Sequence, residues 1–265
     1  MQNKTKVVAV SYLNTKPFLY GLEQSEIAKD LEITLAIPAN CAKALKENQT
    51  HIALVPVAIL AQLWDKVQVI GDYCIGALGK VDTVSLFAHV PLSQIRKIYL
   101  DYQSRSSVAL VQILAKAYWK IEVEFIPAQE GYENKSYAQD EAVVVIGDRA
   151  IGKNKSFAYE YDLAEHWHQW KDLPFVFAVW VATNEWLQDN KNAPDLIQQL
   201  NSALAYGLAH KKEVAKIWQP IADKSIFDLK DYYERAIQYE LDAPKKEALK
   251  LFLQYLNPKA KIQFY

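Results

Sequence analysis

Short apolar runs alternating with polar, helix-forming stretches dominate the first third of the chain. KVVAV at 6–10 reads as a buried strand, and Pro17 marks a helix start in its first turn, where a missing N–H is tolerated. LEITLAI at 31–37 alternates, which places Leu31, Ile33, Leu35 and Ile37 on one face of a half-buried strand. ANCAKALKENQ at 39–49 predicts a short helix, HIALV at 51–55 a strand, and Pro56 the start of the next helix. This β-α-β-α-β rhythm is that of a parallel sheet with helical crossovers.

Residues 67–90 hold two extended segments broken by glycines, and a second α/β rhythm follows. KIYLD (97–101), VEFIP (123–127), AVVVIGD (142–148) and FVFAVWVA (175–182) read as strands. Residues 104–120 read as a helix whose polar stripe is Gln112, Lys116 and Lys120, so most of its surface is buried. From about residue 184 the pattern is helical to the end, and DLKDYYERAIQYEL at 228–241 predicts an amphipathic helix with its charges outward. Two α/β units without a flexible linker suggest lobes joined by crossing strands.

Composition narrows the function. Thirty basic residues against thirty-one acidic ones leave a net charge of −1, which offers no footprint for nucleic acid and no basic patch for a membrane. Only four apolar residues separate the first lysines from Ser11, too few for the core of a signal peptide, so a cytoplasmic protein is expected. Cys41 and Cys74 are isolated, without disulfide or metal spacing. The histidines do not assemble: His166 and His168 flank Trp167 on different sides of a helix, and His51, His89 and His210 stand apart. HExxH, GxSxG, GxGxxG and P-loop patterns are missing, which argues against a metallohydrolase, a serine hydrolase, an NTPase and a nicotinamide enzyme.

Four segments could carry chemistry. In VSYLNTKPFLYGL (10–22) a strand runs directly into Ser-Tyr-Leu-Asn-Thr and a proline. Either Asn14 or Thr15 caps the helix, or strand end, polar side chain and helix start converge on a ligand. LDYQSRSSVAL (100–110) ends a strand at Asp101 and opens a helix near Ser106 or Ser107. Free N–H groups and serine hydroxyls there form an anion cradle, or simply an over-supplied cap; Arg105 is a grip for a carboxylate or a solvated charge. VVVIGDRA (143–150) puts Asp148 at a strand end, as a base, an acceptor for a substrate hydroxyl or a local cap. In VDTVSLFAH (81–89), Thr83 shares a strand face with Ser85 and Phe87 and matters only if that face lines a cleft.

Taken in order and spacing, SYLNTKP, GKVDTV, LDYQSRSSV, VVIGDRA and YDL--HW---DLPFVFAVW resemble the chorismate dehydratase family of the futalosine route to menaquinone. The resemblance runs from about residue 6 to the C-terminal helices. It implies an α/β, two-lobed periplasmic-binding-protein-like (type II) fold, each lobe a mixed, mostly parallel sheet flanked by helices, with the ligand cleft between them. Lobe I would be 1–85 plus 181–265 and lobe II 86–180, with crossings near Leu86–Pro91 and Phe177–Trp180. Two departures are small: threonine at Thr83 and serine at Ser106 replace the family's serine and threonine, and both keep a hydroxyl. Lys171-Asp172 replaces its Thr-Gly at a surface turn.

The resemblance further implies a hydro-lyase that removes water from chorismate to give 3-[(1-carboxyvinyl)oxy]benzoate, with no cofactor or metal. Asn14 and Asp148 would be the catalytic side chains, the base being either Asp148 or the substrate's own enolpyruvyl carboxylate. Ser11, Thr83, Ser104, Arg105, Ser106 and Ser107 would bind substrate, with Ser106 and Ser107 at the helix N-terminus on a carboxylate. The expected partner is the small-molecule substrate alone, on a monomer or a homodimer. The related naphthoate synthase of the same pathway and a non-catalytic small-anion binding protein are the alternatives.

Overall fold

In the computed structural model residues 4–221 and 223–265 are described, so residues 1–3 of the first expected lobe lie outside the described residues. In chain order the strands are β1 (Thr5–Val10), β2 (Leu31–Ala36), β3 (Ile52–Pro56), β4 (Val67–Ala77), β5 (Val84–Ala88), β6 (Lys97–Leu100), β7 (Glu124–Pro127), β8 (Glu141–Ile146), β9 (Tyr159–Asp162), β10 (Phe175–Thr183) and β11 (Gln238–Glu240). They form two sheets flanked by helices, in the orders β11-β4-β10-β3-β1-β2 and β7-β6-β8-β5-β9. Parallel pairs join β1 to β2 and β3, and β6 to β7 and β8. The sheets are mixed rather than mostly parallel, because the two strands that carry the chain between them pair antiparallel on both sides: β5 with β8 and β9, β10 with β3 and β4.

The unbroken apolar runs are the strands covered on both faces: β3 and β5 are buried along their whole length, and β8 is buried except at Glu141. The alternating run at 31–37 became β2, an edge strand. There only Leu31 is fully buried, and Leu35 is 46% exposed, on a strand that has a neighbour on one side only. Pro56 both closes β3 and stands at the helix start, as expected: a 3-10 turn, Val57–Ile59, follows it and runs directly into helix Leu60–Leu63. The expected helix at 104–120 is α-helical over Ser106–Ile113 and π-helical over Leu114–Trp119, and Gln112, Lys116 and Lys120 are its exposed stripe as expected.

The expected helix at 228–241 does not form as one. A turn of helix at Leu229–Asp231 and a π-turn at Tyr232–Ala236 lead into β11, which pairs antiparallel with β4. The long hydrogen-bonding edge of β4 outcompetes helix propensity there, and that choice turns three tyrosines inward.

The chain leaves the first sheet between Ala77 and Val84 and returns between Asp162 and Phe175, whereas the expected crossings fall at the end of β5 and inside β10. Asp162 ties the two connections together. Its carboxylate accepts the N–H groups of Val81 and Asp82 at 2.8 Å on the outgoing side. On the returning side it accepts those of Ala164 and Glu165 at 3.0 and 3.1 Å. Burial pushes its carboxyl up to about 7, against the four N–H bonds that favour the anion.

Helix Lys16–Glu23, which follows the SYLNT segment, is fixed by backbone-close packing on helix Ala193–Ala209. A Cβ on Gly21 would sit 1.9 Å from the Ala203 carbonyl oxygen, and one on Gly207 would sit 1.8 Å from that of Pro17. Gly207→Ala must therefore push two helices apart, and it is expected to cost about 3 kcal/mol, read as a lower urea midpoint at unchanged m.

Candidate functional site: a cleft between the two sheets

The SYLNT segment leaves β1 with the Ser11 N–H donating to Ala36 O at 3.0 Å, makes a 3-10 turn over Leu13–Thr15 and enters helix Lys16–Glu23 with Pro17 in its first turn. Neither Asn14 nor Thr15 caps that helix through its side chain, so the capping account of these residues fails. What holds the turn is the C-terminal segment. The Tyr233 hydroxyl donates to Leu13 O at 2.8 Å, and the Tyr239 hydroxyl donates to Asn14 O at 3.0 Å. With its backbone so anchored, the Asn14 amide is left for other work; within the turn its Oδ1 accepts from the Thr15 hydroxyl at 3.2 Å.

Thr83 stands just before β5 and is buried; its Oγ1 lies 2.8 Å from the Tyr232 hydroxyl. The serine loop follows β6. There Asp101 accepts from Tyr132, from the Gln103 and Ile146 N–H groups and from Arg149, so it is a structural post rather than a free carboxylate. Ser104 Oγ accepts the Ser107 N–H at 3.0 Å and so closes the helix start. The Ser106 hydroxyl is spent across the cleft: it accepts the Ala58 N–H at 3.2 Å and donates to Phe177 O at 3.1 Å, both on the first-sheet side.

Asn14, Thr83, Ser104, Ser106 and Ser107 thus line one cleft, floored by apolar groups such as Val10, Ile75, Ile146 and Phe177. Tyr12 and Gly147 complete it. Gly147 has φ +61, and a Cβ there would meet the Tyr12 ring at 2.8 Å, so glycine is required both by the backbone and by the ring. An apolar slot with a few convergent hydroxyl and amide groups suits an unsaturated ring carrying oxygen substituents.

Ser11, Arg105 and Asp148 lie outside that wall. Arg105 is exposed. The Asp148 carboxylate reaches across from the second sheet and accepts the Leu13 N–H at 3.1 and 3.3 Å. Burial raises its pKa, while the Leu13 N–H and the charges of Lys16 and Arg149 pull the other way. Together with the Tyr12 hydroxyl on Gln103 Oε1 and the Ala39 N–H on Gln103 O at 3.1 Å, these contacts draw the two sheets' loops together over the cleft.

Because folding raises the Asp148 pKa, the native state binds that proton more tightly than the unfolded chain. The group's contribution to stability is therefore fully present at low pH and falls as pH rises from the ordinary aspartate range through the raised value. Asp148→Asn, which can still accept the Leu13 N–H, is expected to flatten that part of the stability profile relative to the wild type. Urea unfolding at a series of pH values measures the difference.

Among the described residues no group of three or more His, Cys, Asp or Glu could hold a metal ion, and no helix is long and apolar enough to cross a membrane. Cys41 and Cys74 are free and buried, and burial pushes both thiols up to about 12.

Sequence reasoning missed Tyr12, which lines the cleft, and Tyr232, Tyr233 and Tyr239, which stand behind it. The signal for the last three was the tyrosine spacing in DYYERAIQYEL, read only as part of an amphipathic helix with its charges outward.

The family model described as menaquinone biosynthesis matches residues 5–258. The curated chorismate dehydratase of Thermus thermophilus is 27% identical over 273 residues, which span 96% of this chain and 96% of that one. A solved protein of Archaeoglobus fulgidus has a TM-score of 0.72 at 12% identity, covering 96% of this chain and 97% of its own. A Candida albicans gene product, described as having the generic periplasmic binding protein fold, scores 0.61 at 15% identity over 98% and 97% of the two chains. The periplasmic aliphatic sulphonate binding protein of Escherichia coli scores 0.63 at 9% identity over 100% and 96%. At these identities the solved structures bear on the fold alone, and the fold they share with this chain is that of periplasmic binding proteins.

Proposed function

This chain belongs to the menaquinone biosynthesis family, and from that premise we propose that it is a chorismate dehydratase, a hydro-lyase that works between two closing lobes. The observation that carries the proposal is the convergence of Asn14, Thr83 and Ser107, from three separate segments, on one apolar cleft between the sheets. The full-length similarity to a chorismate dehydratase supports it.

Chorismate is a cyclohexadiene with a ring carboxylate, an enolpyruvyl ether at C3 and a hydroxyl at C4. In the reaction the C3–H bond breaks and its proton passes to a base, the C–H electrons become the third ring double bond, and the C4–O bond breaks. Hydroxide and proton leave as water, so no external electron acceptor enters the balance. The protein has to hold the ring, bind a carboxylate and assist the departing hydroxyl.

Ser107, beside the start of helix Ser106–Ile113, is the group we assign to a carboxylate, since Ser106 and Ser104 already serve the fold. Asn14, just past β1, and Thr83, just ahead of β5, share the cleft with it and are assigned to the hydroxyl and the charge that develops on the ring. Asp148 holds Leu13, so we give it closure of the lobes and leave proton abstraction to the substrate's enolpyruvyl carboxylate. Asp148→Asn is then expected to keep at least about a tenth of wild-type kcat, because a lost general base costs about 10²-fold or more. A larger drop would hand the base role back to Asp148.

Incubation of the purified protein with chorismate, followed by mass spectrometry, tests the function directly. A product lighter by one water, with the spectrum of a substituted benzoate, is the expected result. Chorismate that is bound but unchanged would favour a small-anion binding protein. Absence of binding would redirect attention to the naphthoate synthase of the same pathway.

A further inference from the structure

We infer that Tyr232 is a positioning residue of this site, setting the hydroxyl of Thr83 as a donor toward the ligand. The inference rests on the dehydratase reading and extends it to a side chain none of the motifs contains. Tyr232 opens the π-turn Tyr232–Ala236, is 3% exposed, and packs its ring against Phe227 and Tyr233 at centroid distances of 4.9 and 5.9 Å. Its neighbours Tyr233 and Tyr239 bond backbone carbonyls of the SYLNT turn, whereas its own hydroxyl reaches a side chain, Thr83 Oγ1 at 2.8 Å.

The proton count fixes the directions. A protonated phenol has one hydrogen to donate and can accept as well. Asn14 Oδ1 already takes the Thr15 hydroxyl proton. Burial pushes the Tyr232 phenol well above its ordinary range, so it keeps its proton at any working pH, and a buried phenol has to place that proton; among the described residues the partner at hydrogen-bond distance is Thr83 Oγ1, so the proton goes there. Thr83, already an acceptor from tyrosine, has its own hydrogen left for an oxygen in the cleft it lines. Without the phenol, the Thr83 hydroxyl would be free to rotate and would present a lone pair as readily as a proton to an anionic ligand.

The test is Tyr232→Phe, which keeps the ring and removes the hydroxyl, assayed alone and in Thr83→Ser and Thr83→Ala backgrounds with chorismate as substrate. The expected result is a fall of about tenfold in kcat/KM for Tyr232→Phe, with near-wild-type urea midpoint. The same fall is expected in the Thr83→Ser background, which keeps the hydroxyl. Most of it should vanish in the Thr83→Ala background, where there is no hydroxyl left to orient. Wild-type kcat/KM in Tyr232→Phe, a full tenfold loss that persists in Thr83→Ala, or a Tyr232→Phe protein that is unfolded at the assay temperature would each overturn the inference. The last would make the phenol a structural pillar. A wild-type protein that does not dehydrate chorismate sinks the functional reading instead, so the two failures are told apart by the control.

Discussion

Asn14→Leu is expected to lower kcat with chorismate by about 10²- to 10³-fold while lowering stability by only about 1 kcal/mol. The two effects separate because the backbone and the side chain of Asn14 are held by different partners. Tyr239 donates to its carbonyl and Tyr233 to that of Leu13, so the turn keeps its course whatever the side chain is. The amide itself bonds the Thr15 hydroxyl, and the side chain lines the cleft. Leucine has the same branching as asparagine, leaves the slot filled and removes the amide assigned to the departing hydroxyl. Steady-state kinetics and urea unfolding of the same preparation decide it. Parallel losses of turnover and stability would reduce Asn14 to a structural residue.

The strands legible in the chain were those whose burial is two-sided. HIALV, AVVVI and FVFAVWVA announce themselves because neither face meets water, and each emerged as a strand within a residue or two of its apolar run. Edge strands carry no such signature. β9 reads YEYD and β11 reads QYE; each is short, polar on one side, and made a strand only by a partner, β5 or β4, that lies far away in the chain. The same distance explains the site. Asn14 and Thr83 could be nominated from their motifs, but the phenol that bonds Thr83 sits 149 residues further on, in a segment whose local pattern is helical. The serines show the converse. Ser104, Ser106 and Ser107 look alike in the sequence, yet one closes a helix and one bridges Ala58 to Phe177, because a hydroxyl takes whatever partner the tertiary structure offers.

Arg149→Met is expected to destabilise the protein by about 3 kcal/mol, the low end of the range for stripping one partner from a buried ion pair. Asp101, whose side chain is fully buried, receives both of its shortest charged contacts from Arg149 Nη2, at 2.9 and 2.7 Å. Methionine fills most of the arginine's volume, so the loss is one of charge rather than packing. It is held to the low end because Asp101 keeps three other donors, the Tyr132 hydroxyl and the Gln103 and Ile146 N–H groups. Those donors also say what the pair is for: they tie the end of β6 to the end of β8, the two places from which the serine loop and the Gly147–Asp148 turn project into the cleft. Arg149→Met should therefore lower the urea midpoint and, below that midpoint, raise KM for chorismate more than it lowers kcat, since it loosens the platform under the binding loop without touching Asn14 or Thr83. Asp101→Leu should be the worse variant, because it strands the Gln103 and Ile146 N–H groups and leaves the guanidinium only Glu133, at 3.5 Å, while the Tyr132 hydroxyl keeps Val144 O; it is expected to lose about 4 kcal/mol. Should Asp101→Leu prove no less stable than Arg149→Met, the two N–H groups would have found other partners and the carboxylate would not be the post on which the loops stand.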